Sequence, residues 1–363
     1  MIIKLRQAFD LQMGKTPARN RPDYWNGDHK WISIADIGNA GKFLTKTKES
    51  ITEAGIDGSG IKVVPQGTVI MSFKLSIGKT AITSEDMYTN EAIMAFIDNG
   101  KFAIDTDYLY HLCCGTNWTA GTNKAVMGLT LNKATLLEKE IPLPDINEQH
   151  EIATKLDKID AIIAERQQQL ELIDQAVKSR FIELFIGKGY PTKTVDEVSL
   201  GKGEYGAQSA SIEYDPTRPR YVRITDINDD GTLNDDVVAS INPDDDEQYR
   251  LEYGDFMFAR MGATVGKTYA FITGNQIFAG YLIRYKLNQK LINPRYLFWY
   301  TKLDEYWNWV KLNQSGAAQP GINAKKYGSL RIPVPPIEQQ EQFAAFVEQT
   351  DKSKLCGKME VAA

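Results

Sequence analysis

Histidine and cysteine are scarce in this chain of 363 residues, which has three of each. Three cysteines, two of them adjacent at Cys113 and Cys114, cannot form the disulfide framework of a small secreted domain. The histidines are not at metal-ligand spacing from a cysteine or carboxylate, so we expect no metal site. The sequence also lacks a run of 18 apolar residues and an apolar leader, so we expect no membrane helix, no signal peptide and a cytoplasmic location.

Positive charge is not in excess either. Lysine and arginine total 42 against 47 aspartate and glutamate residues, a formal net charge of −5. This balance excludes a chain coated in basic residues, but nucleic-acid binding depends on where the positive charge lies and stays open. Apolar residues at 42% and charged residues at 25% are ordinary for a globular protein, and the length predicts two or three domains.

Motifs that would make the chain an enzyme are missing. The Gly-Lys-Thr segments at 78–80 and 266–268 lack the glycine that a phosphate-binding loop needs five residues earlier, and we interpret both as tight turns between strands. The sequence has no Asp/Asn-Pro-Pro-aromatic segment of an amino-methyltransferase and no nucleophile elbow. His29 and His111 have no evident partner, and His150 starts a predicted helix. We therefore expect no catalytic residue and no cofactor or metal bound by this chain.

The chain contains an internal repeat. Five blocks recur in the same order at offsets between 187 and 191: 31–37 and 221–227, 67–73 and 254–260, 78–80 and 266–268, 104–109 and 292–297, 141–149 and 332–340. Solenoid repeats are typically about 20 to 50 residues long, so a repeat near 190 residues indicates a duplicated domain.

Each copy begins as a mixed globular domain. Short runs of β-branched and aromatic residues predict strands at 63–64, 69–73 and 256–258. Segments 105–113 and 294–302 predict helices capped by Asp105 and Asn293. Each copy closes with Ile-Pro-Leu-Pro or Ile-Pro-Val-Pro. Because proline fixes its own backbone and extends the residue before it, these segments are rigid exits from the domain.

A long helix follows the first copy. Residues 148–185 include neither glycine nor proline, which predicts a helix of about 57 Å, and glycines at 187 and 189 stop it. Steps of four and three residues give a heptad seam. Its apolar members are Ile152, Leu156, Ile159, Ile163, Leu170, Ile173, Val177 and Leu184. A helix with one narrow apolar stripe needs a partner helix along that stripe.

The predicted partner is the helix after the second copy, which begins at Glu338 and adds Phe343 and Val347 to the seam. The apolar pattern fades after Val347, and Gly357 interrupts the tail, so we expect this helix to stop about a dozen residues early. The stripe at 166–184 would then lack a partner within the chain, and we expect it to mediate self-association.

Basic residues gather in the loops of both copies. Residues 1–48 hold nine basic against four acidic residues, with Trp25 and Trp31 among them. Arginine, asparagine and glutamine read base edges, and lysine or arginine hold phosphates. We predict DNA contacts from Lys15, Arg19, Arg21, Lys46, Lys48, Lys74, Lys79, Arg218, Arg220, Arg223, Arg260, Lys267, Gln314, Ser315, Gln319, Lys325 and Lys326. Acidic residues at 229–230 and 244–247 predict a face turned away from DNA.

The exit segments 141–149 and 332–340, each leading into a helix, resemble the specificity subunit of type I restriction–modification systems. The Gly-Ala-Ala-Gln-Pro-Gly-Ile-Asn run at 316–323 and the turn from Arg260 to Lys267 are similar to the target-recognition domains of that family. The resemblance covers nearly the whole chain.

The resemblance implies an α+β fold with two pseudo-repeated target-recognition domains, separated by long helices that form an antiparallel coiled coil. The implied boundaries are 1–145 for the first domain, 146–188 for the central helix, 189–335 for the second domain and 336–363 for a shortened distal helix.

The resemblance also implies the function. Each globular domain would read one half of a bipartite, asymmetric DNA site, and the helices would space the half-sites and dock two modification subunits. Those partners would bind S-adenosylmethionine and methylate adenine, and restriction subunits would use ATP and Mg²⁺. This chain would be the non-catalytic reader. The residues leave open an alternative, a coiled-coil scaffold or inhibitor that binds only proteins.

Overall fold

The structure is a computed structural model that describes residues 1–74, 76–119, 131–242, 247–316 and 319–352, and the backbone of 353–362. The acidic residues predicted at 244–246 and the alanines at 317–318 lie outside the described residues. The chain divides into two compact units, Met1–Ile162 and Ile163–Ala363, called unit 1 and unit 2 below. The division falls inside one long helix.

Unit 1 combines strands with short helices. Its strands are β1 Ile2–Lys4, β2 Phe9–Met13, β3 Trp25–Ile32, β4 Phe43–Leu44, β5 Glu49–Ile51, β6 Val69–Ser72, β7 Thr80–Thr83, β8 Tyr88–Thr89, β9 Ile93–Asp98 and β10 Glu140–Pro142. Its helices are α1 Leu5–Ala8, α2 Ile34–Asn39, α3 Glu53–Ser59, α4 Thr106–Gly115, α5 Lys133–Leu137 and the start of α6 Ile146–Phe185. The sheets have the orders β2-β9-β6-β7-β4, β5-β3-β8 and β1-β10.

Unit 2 has a similar set of elements. Its strands are β11 Thr192–Thr194, β12 Glu204–Tyr205, β13 Ile212–Glu213, β14 Arg220–Val222, β15 Ala239–Ser240, β16 Asp255–Ala259, β17 Thr268–Ala270, β18 Gln276–Phe278, β19 Leu282–Lys286 and β20 Arg331–Pro333. Its helices after α6 are α7 Pro294–Tyr300, α8 Asp304–Asn313, α9 Ala324–Gly328 and α10 Ile337–Ala362. The sheets have the orders β12-β19-β16-β17, β13-β15-β14-β18 and β11-β20.

The two units repeat one plan. The antiparallel pairs β6–β9, β6–β7 and β1–β10 of unit 1 return in unit 2 as β16–β19, β16–β17 and β11–β20. Each sheet of the described chain takes its strands from a single unit. The predicted α+β class and the predicted duplication are confirmed.

The central strands are buried on both faces, because successive side chains of a strand point to opposite sides. In β6, Met71 joins one apolar cluster with Phe96, while Ile70 joins another with Ala95. In β16, Phe256 and Phe258 enter the cluster beside the long helices, and Met257 enters the cluster on the opposite face.

The two Gly-Lys-Thr segments are turns, as predicted. Each connects the strands of a hairpin, β6–β7 in unit 1 and β16–β17 in unit 2. Gly78 and Gly266 both have φ of +91°, a region that favours glycine. A β-carbon at Gly266 would also approach Trp307 and Val310 to 2.9 Å. Both the positive φ and the lack of space therefore require glycine at this position of the second turn.

The predicted helix caps are also confirmed. The Asp105 carboxylate accepts a hydrogen bond from the Tyr108 backbone N–H at 2.8 Å, at the start of α4. The Asn293 side chain accepts the N–H of Arg295 at 2.9 Å, and Pro294 occupies the first turn of α7. Each cap satisfies a backbone donor that the first turn of a helix leaves free.

A glutamine at the start of each long helix, Gln149 in α6 and Gln340 in α10, is fully buried. The Gln149 amide donates to the carbonyls of Ala103 and Pro144 at 3.1 and 3.0 Å, and its oxygen accepts the Asp105 N–H at 3.0 Å. We call Gln149 and Gln340 the helix-start glutamines.

Gln340 makes the same three contacts in unit 2. Its amide donates to the carbonyls of Leu291 and Pro335 at 3.0 and 2.8 Å, and its oxygen accepts the Asn293 N–H at 2.9 Å. Each helix-start glutamine thereby joins three segments of its unit: the proline exit, the cap of the preceding helix and the long helix itself.

Within unit 2, α6 and α10 pack against each other in antiparallel directions. Val177, Phe181 and Phe185 of α6 share one buried cluster with Phe343 and Val347 of α10. The Phe185 and Phe181 rings lie 5.6 and 5.3 Å from the Phe343 ring. Close to the end of α6, the Tyr190 hydroxyl donates to the Gln339 side chain at 2.7 Å, near the start of α10.

The predicted seam needs a correction near the end of α6. The heptad steps pass through Arg180 and Leu184, but the residues fully buried there are Phe181 and Phe185. Arg180 is exposed and donates to Glu183 at 2.7 Å. The buried face shifts by one residue because the two phenylalanine rings pack against Tyr296 of the globular core, at 5.0 Å each.

Other seam positions differ in burial. Val177, Phe343 and Val347 are buried, so the expectation that all of 166–184 lacks a partner within the chain is wrong at Val177. Ile159 is 50% exposed. The partly buried seam residues are Ile152, Leu156, Ile163, Leu170, Ile173 and Leu184.

The second long helix is shorter than the first, as predicted, with 26 residues in α10 against 40 in α6. Its backbone is helical through Gly357 to Ala362, within the predicted range 336–363. A glycine inside a helix costs only about 1 kcal/mol relative to alanine, and neighbouring turns offset this. Among the described residues, no helix is long and apolar enough to cross a membrane.

Replacing a helix-start glutamine should destabilise its unit. In Gln340→Leu, two carbonyls and one N–H lose their partner inside the protein, and we expect a loss of about 3 kcal/mol in the free energy of unfolding. Urea unfolding followed by circular dichroism measures it.

Gln342→Leu is the matched control, since Gln342 lies two residues further along α10 and is exposed. Its free energy of unfolding should change by no more than about 0.5 kcal/mol. Equal effects of the two substitutions would show that the hydrogen bonds of Gln340 do not hold the helix start.

Candidate nucleic-acid interface

In unit 1, Arg19 lies in an aromatic cluster. Its guanidinium carbon is 3.9 Å from the centre of the Trp25 ring and 5.0 Å from that of Trp31, and the two rings meet edge to face. Strand β3 carries both tryptophans, and Glu49 lies opposite Trp31 on β5. The Arg19 guanidinium donates to the Glu49 carboxylate at 3.0 Å, and this hydrogen bond lowers the pKa of Glu49. The pair therefore stays ionised at neutral pH, with the direction of the guanidinium fixed.

Lys15 and Arg21 flank this cluster and have intramolecular partners. The Lys15 ammonium donates to the carbonyls of Ser59 and Gly60 at 3.2 and 3.3 Å, at the carboxyl end of α3. The Arg21 guanidinium donates to both oxygens of Asp23, at 2.9 and 2.7 Å. Both residues therefore bind other parts of unit 1.

Four lysines of unit 1 extend the basic surface. Lys46 and Lys48 are exposed between β4 and β5, and their ammonium groups donate no hydrogen bond within the described part of the chain. Lys74 and Lys79 lie at the β6–β7 turn, where Lys79 is exposed. The Lys74 ammonium is 5.2 Å from the centre of the Phe73 ring.

Glu91 brings two of these groups into one neighbourhood. A hydrogen bond from Thr16 lowers the pKa of Glu91, and the charges of Lys74 and Arg19 lower it further. The positive charges of Arg19 and Lys74 therefore both lie near the Glu91 carboxylate. The positions of these two residues in the sequence do not predict that they are close to each other.

In unit 2, the predicted residues divide into two groups. The first group, which we call the paired group, consists of Arg218, Arg220, Arg223 and Lys267, and each of its members binds a carboxylate. The distances between charged atoms are 3.3 Å to Asp215, 2.7 Å to Asp235, 2.9 Å to Asp226 and 2.8 Å to Asp229, in that order.

The Arg223–Asp226 contact has a counterpart in unit 1. The Asp226 carboxylate accepts the Arg223 backbone N–H at 2.9 Å, and the Asp36 carboxylate accepts the Ser33 N–H at 2.8 Å. Arg223 thus takes part in the repeated fold and also binds the carbonyl of Val237 at 2.6 Å. Members of the paired group hold the loops of unit 2 in place.

The second group surrounds Arg260, just after β16. The Arg260 guanidinium carbon lies 4.8 Å from the centre of the Tyr205 ring and 6.0 Å from that of Tyr281. A loop beside it is closed by two backbone hydrogen bonds between Ser315 and Gly321, at 3.0 and 2.9 Å. Gly321 also forms a β-bridge with Met261, the residue after Arg260.

Polar side chains cover this loop and the helix after it. Gln314, Ser315 and Gln319 are exposed, and so is Lys325 at the start of α9. The Lys326 ammonium donates to the Asn313 carbonyl at 2.7 Å and fixes the end of α8. The structure therefore brings the predicted loop residues together with Arg260 and keeps the paired group among its own carboxylates.

Sequence reasoning missed Tyr205 and Tyr281. They are separated from Arg260 by 55 and 21 positions, and the sequence has no spacing that relates them. The β12–β19 pairing places Tyr205 opposite Ile283, two residues after Tyr281. Sheet register, which the sequence does not specify, puts both rings beside the guanidinium.

The histidines have partners that sequence reasoning did not find. His111 is 2.8 Å from the Asp157 carboxylate on α6, which also accepts a hydrogen bond from Lys42 at 2.5 Å. Burial opposes ionisation of Asp157, but the hydrogen bonds from Lys42 and His111 lower its pKa. His29 lies 2.8 Å from Glu53. In the described ranges, no group of three or more potential metal ligands comes together.

Comparison with known proteins gives a family. The family model described as "Type I restriction modification DNA specificity domain" matches residues 1–173 and 193–357. The chain is 28% identical over 187 residues to the type I restriction enzyme MjaIX specificity subunit of Methanocaldococcus jannaschii, covering 50% of this chain and 43% of that protein. It is 27% identical over 177 residues to the EcoprrI specificity subunit of Escherichia coli, covering 45% and 43%. The matches thus span less than half the length of these relatives.

Solved structures share the fold. A type I restriction–modification S subunit from M. genitalium superposes with a TM-score of 0.52 at 14% identity, covering 100% of this chain and 92% of that chain. A chain from a structure on complex assembly and conformational transition of the type I R-M system gives 0.58 at 18% identity, with the same coverage.

Removing Arg19 should raise the pKa of Glu49 towards its ordinary value, because the hydrogen bond from Arg19 is the main cause of its lowering. The pair stabilises the fold above the ordinary pKa of glutamate, and this stabilisation is lost as the pH falls through the lowered value. In Arg19→Gln, the NMR signal of the Glu49 side-chain carboxyl carbon should therefore change with pH around a higher midpoint.

Arg21→Gln is the control, because Arg21 binds Asp23 and not Glu49. It should leave the Glu49 titration in place. An unchanged Glu49 titration in Arg19→Gln would contradict the ion pair.

Proposed function

Because the chain belongs to the type I restriction modification DNA specificity family, we propose that it is the DNA-recognition subunit of a type I restriction–modification complex. The observation that carries this proposal is the agreement between two matches to the family model, at 1–173 and 193–357, and the duplicated fold of units 1 and 2. The chain contributes sequence reading and no catalytic group.

Each unit reads one half of a bipartite and asymmetric DNA site. The two units support this because they present different chemistry on the same framework. Unit 1 offers Arg19 between tryptophans together with lysines at its turn, and unit 2 offers Arg260 between tyrosines beside a polar loop. Different side chains on equal folds read different bases, which gives an asymmetric site.

The long helices set the distance between half-sites and dock the partner proteins. These partners are two modification subunits, which carry S-adenosylmethionine and methylate adenine, and restriction subunits, which use ATP and Mg²⁺. The firm attachment of each helix to its unit through Gln149 or Gln340 supports this role. Because each helix is held to its domain in one position, the length of the helices determines the distance between the half-sites.

The chain also self-associates through the stripe of α6 at 166–184. Leu170 and Ile173 of this stripe are only partly buried. A second copy of this chain, carrying the same stripe, is the occupant we assign to them. Light scattering over a wide concentration range should show a dimer at high concentration, and a strict monomer would refute this part of the proposal.

Exchanging one unit should change one half of the recognised site. When residues 1–145 are replaced by the corresponding domain of another family member, the half read by unit 1 changes and the other half stays. Methylation-sensitive sequencing of DNA from cells that carry the chimera and its modification subunit measures both halves. A change in both halves together would contradict independent reading.

Binding by the complex should also depend steeply on salt. Contacts from arginine and lysine to phosphates release counterions, so the affinity for the recognised duplex falls linearly with salt on a double logarithmic plot. Electrophoretic mobility shifts between 50 and 200 mM salt, with and without the modification subunit, should show a loss of about 10³-fold or more. If the chain binds only protein, DNA is not shifted at any salt concentration.

A further inference from the structure

Arg260 differs from the other arginines predicted to contact DNA in one respect. Arg218, Arg220 and Arg223 each bind a carboxylate, and so does Arg19 in unit 1. In the part of the chain that the structure describes, the Arg260 guanidinium binds no carboxylate, and its polar contact is with the Met261 sulfur at 3.5 Å. A sulfur atom is a weak acceptor, so nearly all of its five N–H donors are available to a ligand.

The backbone on both sides of Arg260 is held. Its N–H donates to the carbonyl of Tyr281 at 3.0 Å, and its carbonyl accepts the N–H of Ile322 at 2.9 Å. Two residues further along the chain, the backbone N–H of Gly262 donates to the Pro320 carbonyl at 2.9 Å. Arg260 therefore projects from a fixed point, where a strand and a closed loop meet.

The side chain is held as well. The guanidinium lies over Tyr205 at 4.8 Å and near Tyr281 at 6.0 Å. Tyr205 and Tyr281 are 39% and 55% exposed, so the site opens to solvent. The Tyr205 hydroxyl accepts the N–H of Ala324 at 3.2 Å, which fixes this ring in turn. Stacking on aromatic rings orients a guanidinium and leaves its edge free.

An oriented and unpaired guanidinium presents two parallel N–H donors. They match the O6 and N7 acceptors of guanine in the major groove, which is the commonest specific contact of arginine with a base, and they can also bind a phosphate, which the test distinguishes. Resting on the proposed function, we infer that Arg260 reads a guanine in the half-site recognised by unit 2. Tyr205 and Tyr281 are its positioning residues.

The test is selection of bound duplexes from a randomised pool by the complex of the full chain with its modification subunits. Arg260→Lys keeps the charge and loses the two-donor fork. We expect wild type to prefer guanine at one position of the unit 2 half-site, and Arg260→Lys to lose about 10- to 100-fold of that preference. Preferences at the other positions and the slope of affinity against salt should be retained.

Two further variants sharpen the test. Tyr281→Leu keeps Arg260 and removes one ring, so it should weaken the preference at the same position and at no other. Arg250→Gln is the matched control, because Arg250 is an arginine of unit 2 that is already bound by Glu247 at 2.7 Å. It should select the same sequence as wild type. Thermal unfolding of each variant shows whether the fold is kept.

The other outcomes overturn the inference in distinguishable ways. If Arg260→Lys selects the wild-type sequence, Arg260 does not read a base and the proposed function stands. If Arg260→Gln weakens binding to all sequences equally and lowers the salt slope by about one, Arg260 holds a phosphate. If wild type selects no sequence, both the inference and the proposed function fail.

Discussion

The contact on which the rest of the structure depends is made by a buried glutamine at the start of each long helix. Gln149 and Gln340 each donate both side-chain N–H groups to carbonyls and accept one backbone N–H with the side-chain oxygen. Since an unpaired polar group in such a place would cost about 1–3 kcal/mol, the helix can start in only one position relative to its domain. The domain and its helix therefore behave as one piece.

This constraint explains why the repeat is clearest at the helix exits. The proline segments fix the direction in which the chain enters each helix. Five residues after Pro144 and Pro335, the side chains of Gln149 and Gln340 donate hydrogen bonds to the carbonyls of these prolines. The loops of the two units carry no such requirement. Unit 1 presents Arg19 beside two tryptophans and lysines at the β6–β7 turn, whereas unit 2 presents Arg260 beside two tyrosines and a polar loop. The framework is shared, and the chemistry exposed on it differs between the units.

Local patterns in the sequence predicted the duplication, the caps at Asp105 and Asn293, the turns at 78–80 and 266–268 and the long first helix. The duplication is visible as a repeat of residue blocks, and the caps, turns and helix depend on the backbone preferences of neighbouring residues. The sequence did not predict the shift from Arg180 and Leu184 to Phe181 and Phe185, because contact with Tyr296 in the globular core decides it. Nor could it separate Arg260 from the paired group, because ion pairs and ring contacts join residues that are distant in the chain.

The proposal that two domains read two half-sites at a set separation is tested most directly by the length of the DNA between the half-sites. Once the recognised site is known, the affinity of the complex is measured for duplexes with one base pair added or removed between the half-sites. Each base pair changes the separation by about 3.4 Å and rotates one half-site about the DNA axis. The account predicts that either change reduces binding to the level of a duplex with one intact half-site. Unchanged affinity across these duplexes would contradict it.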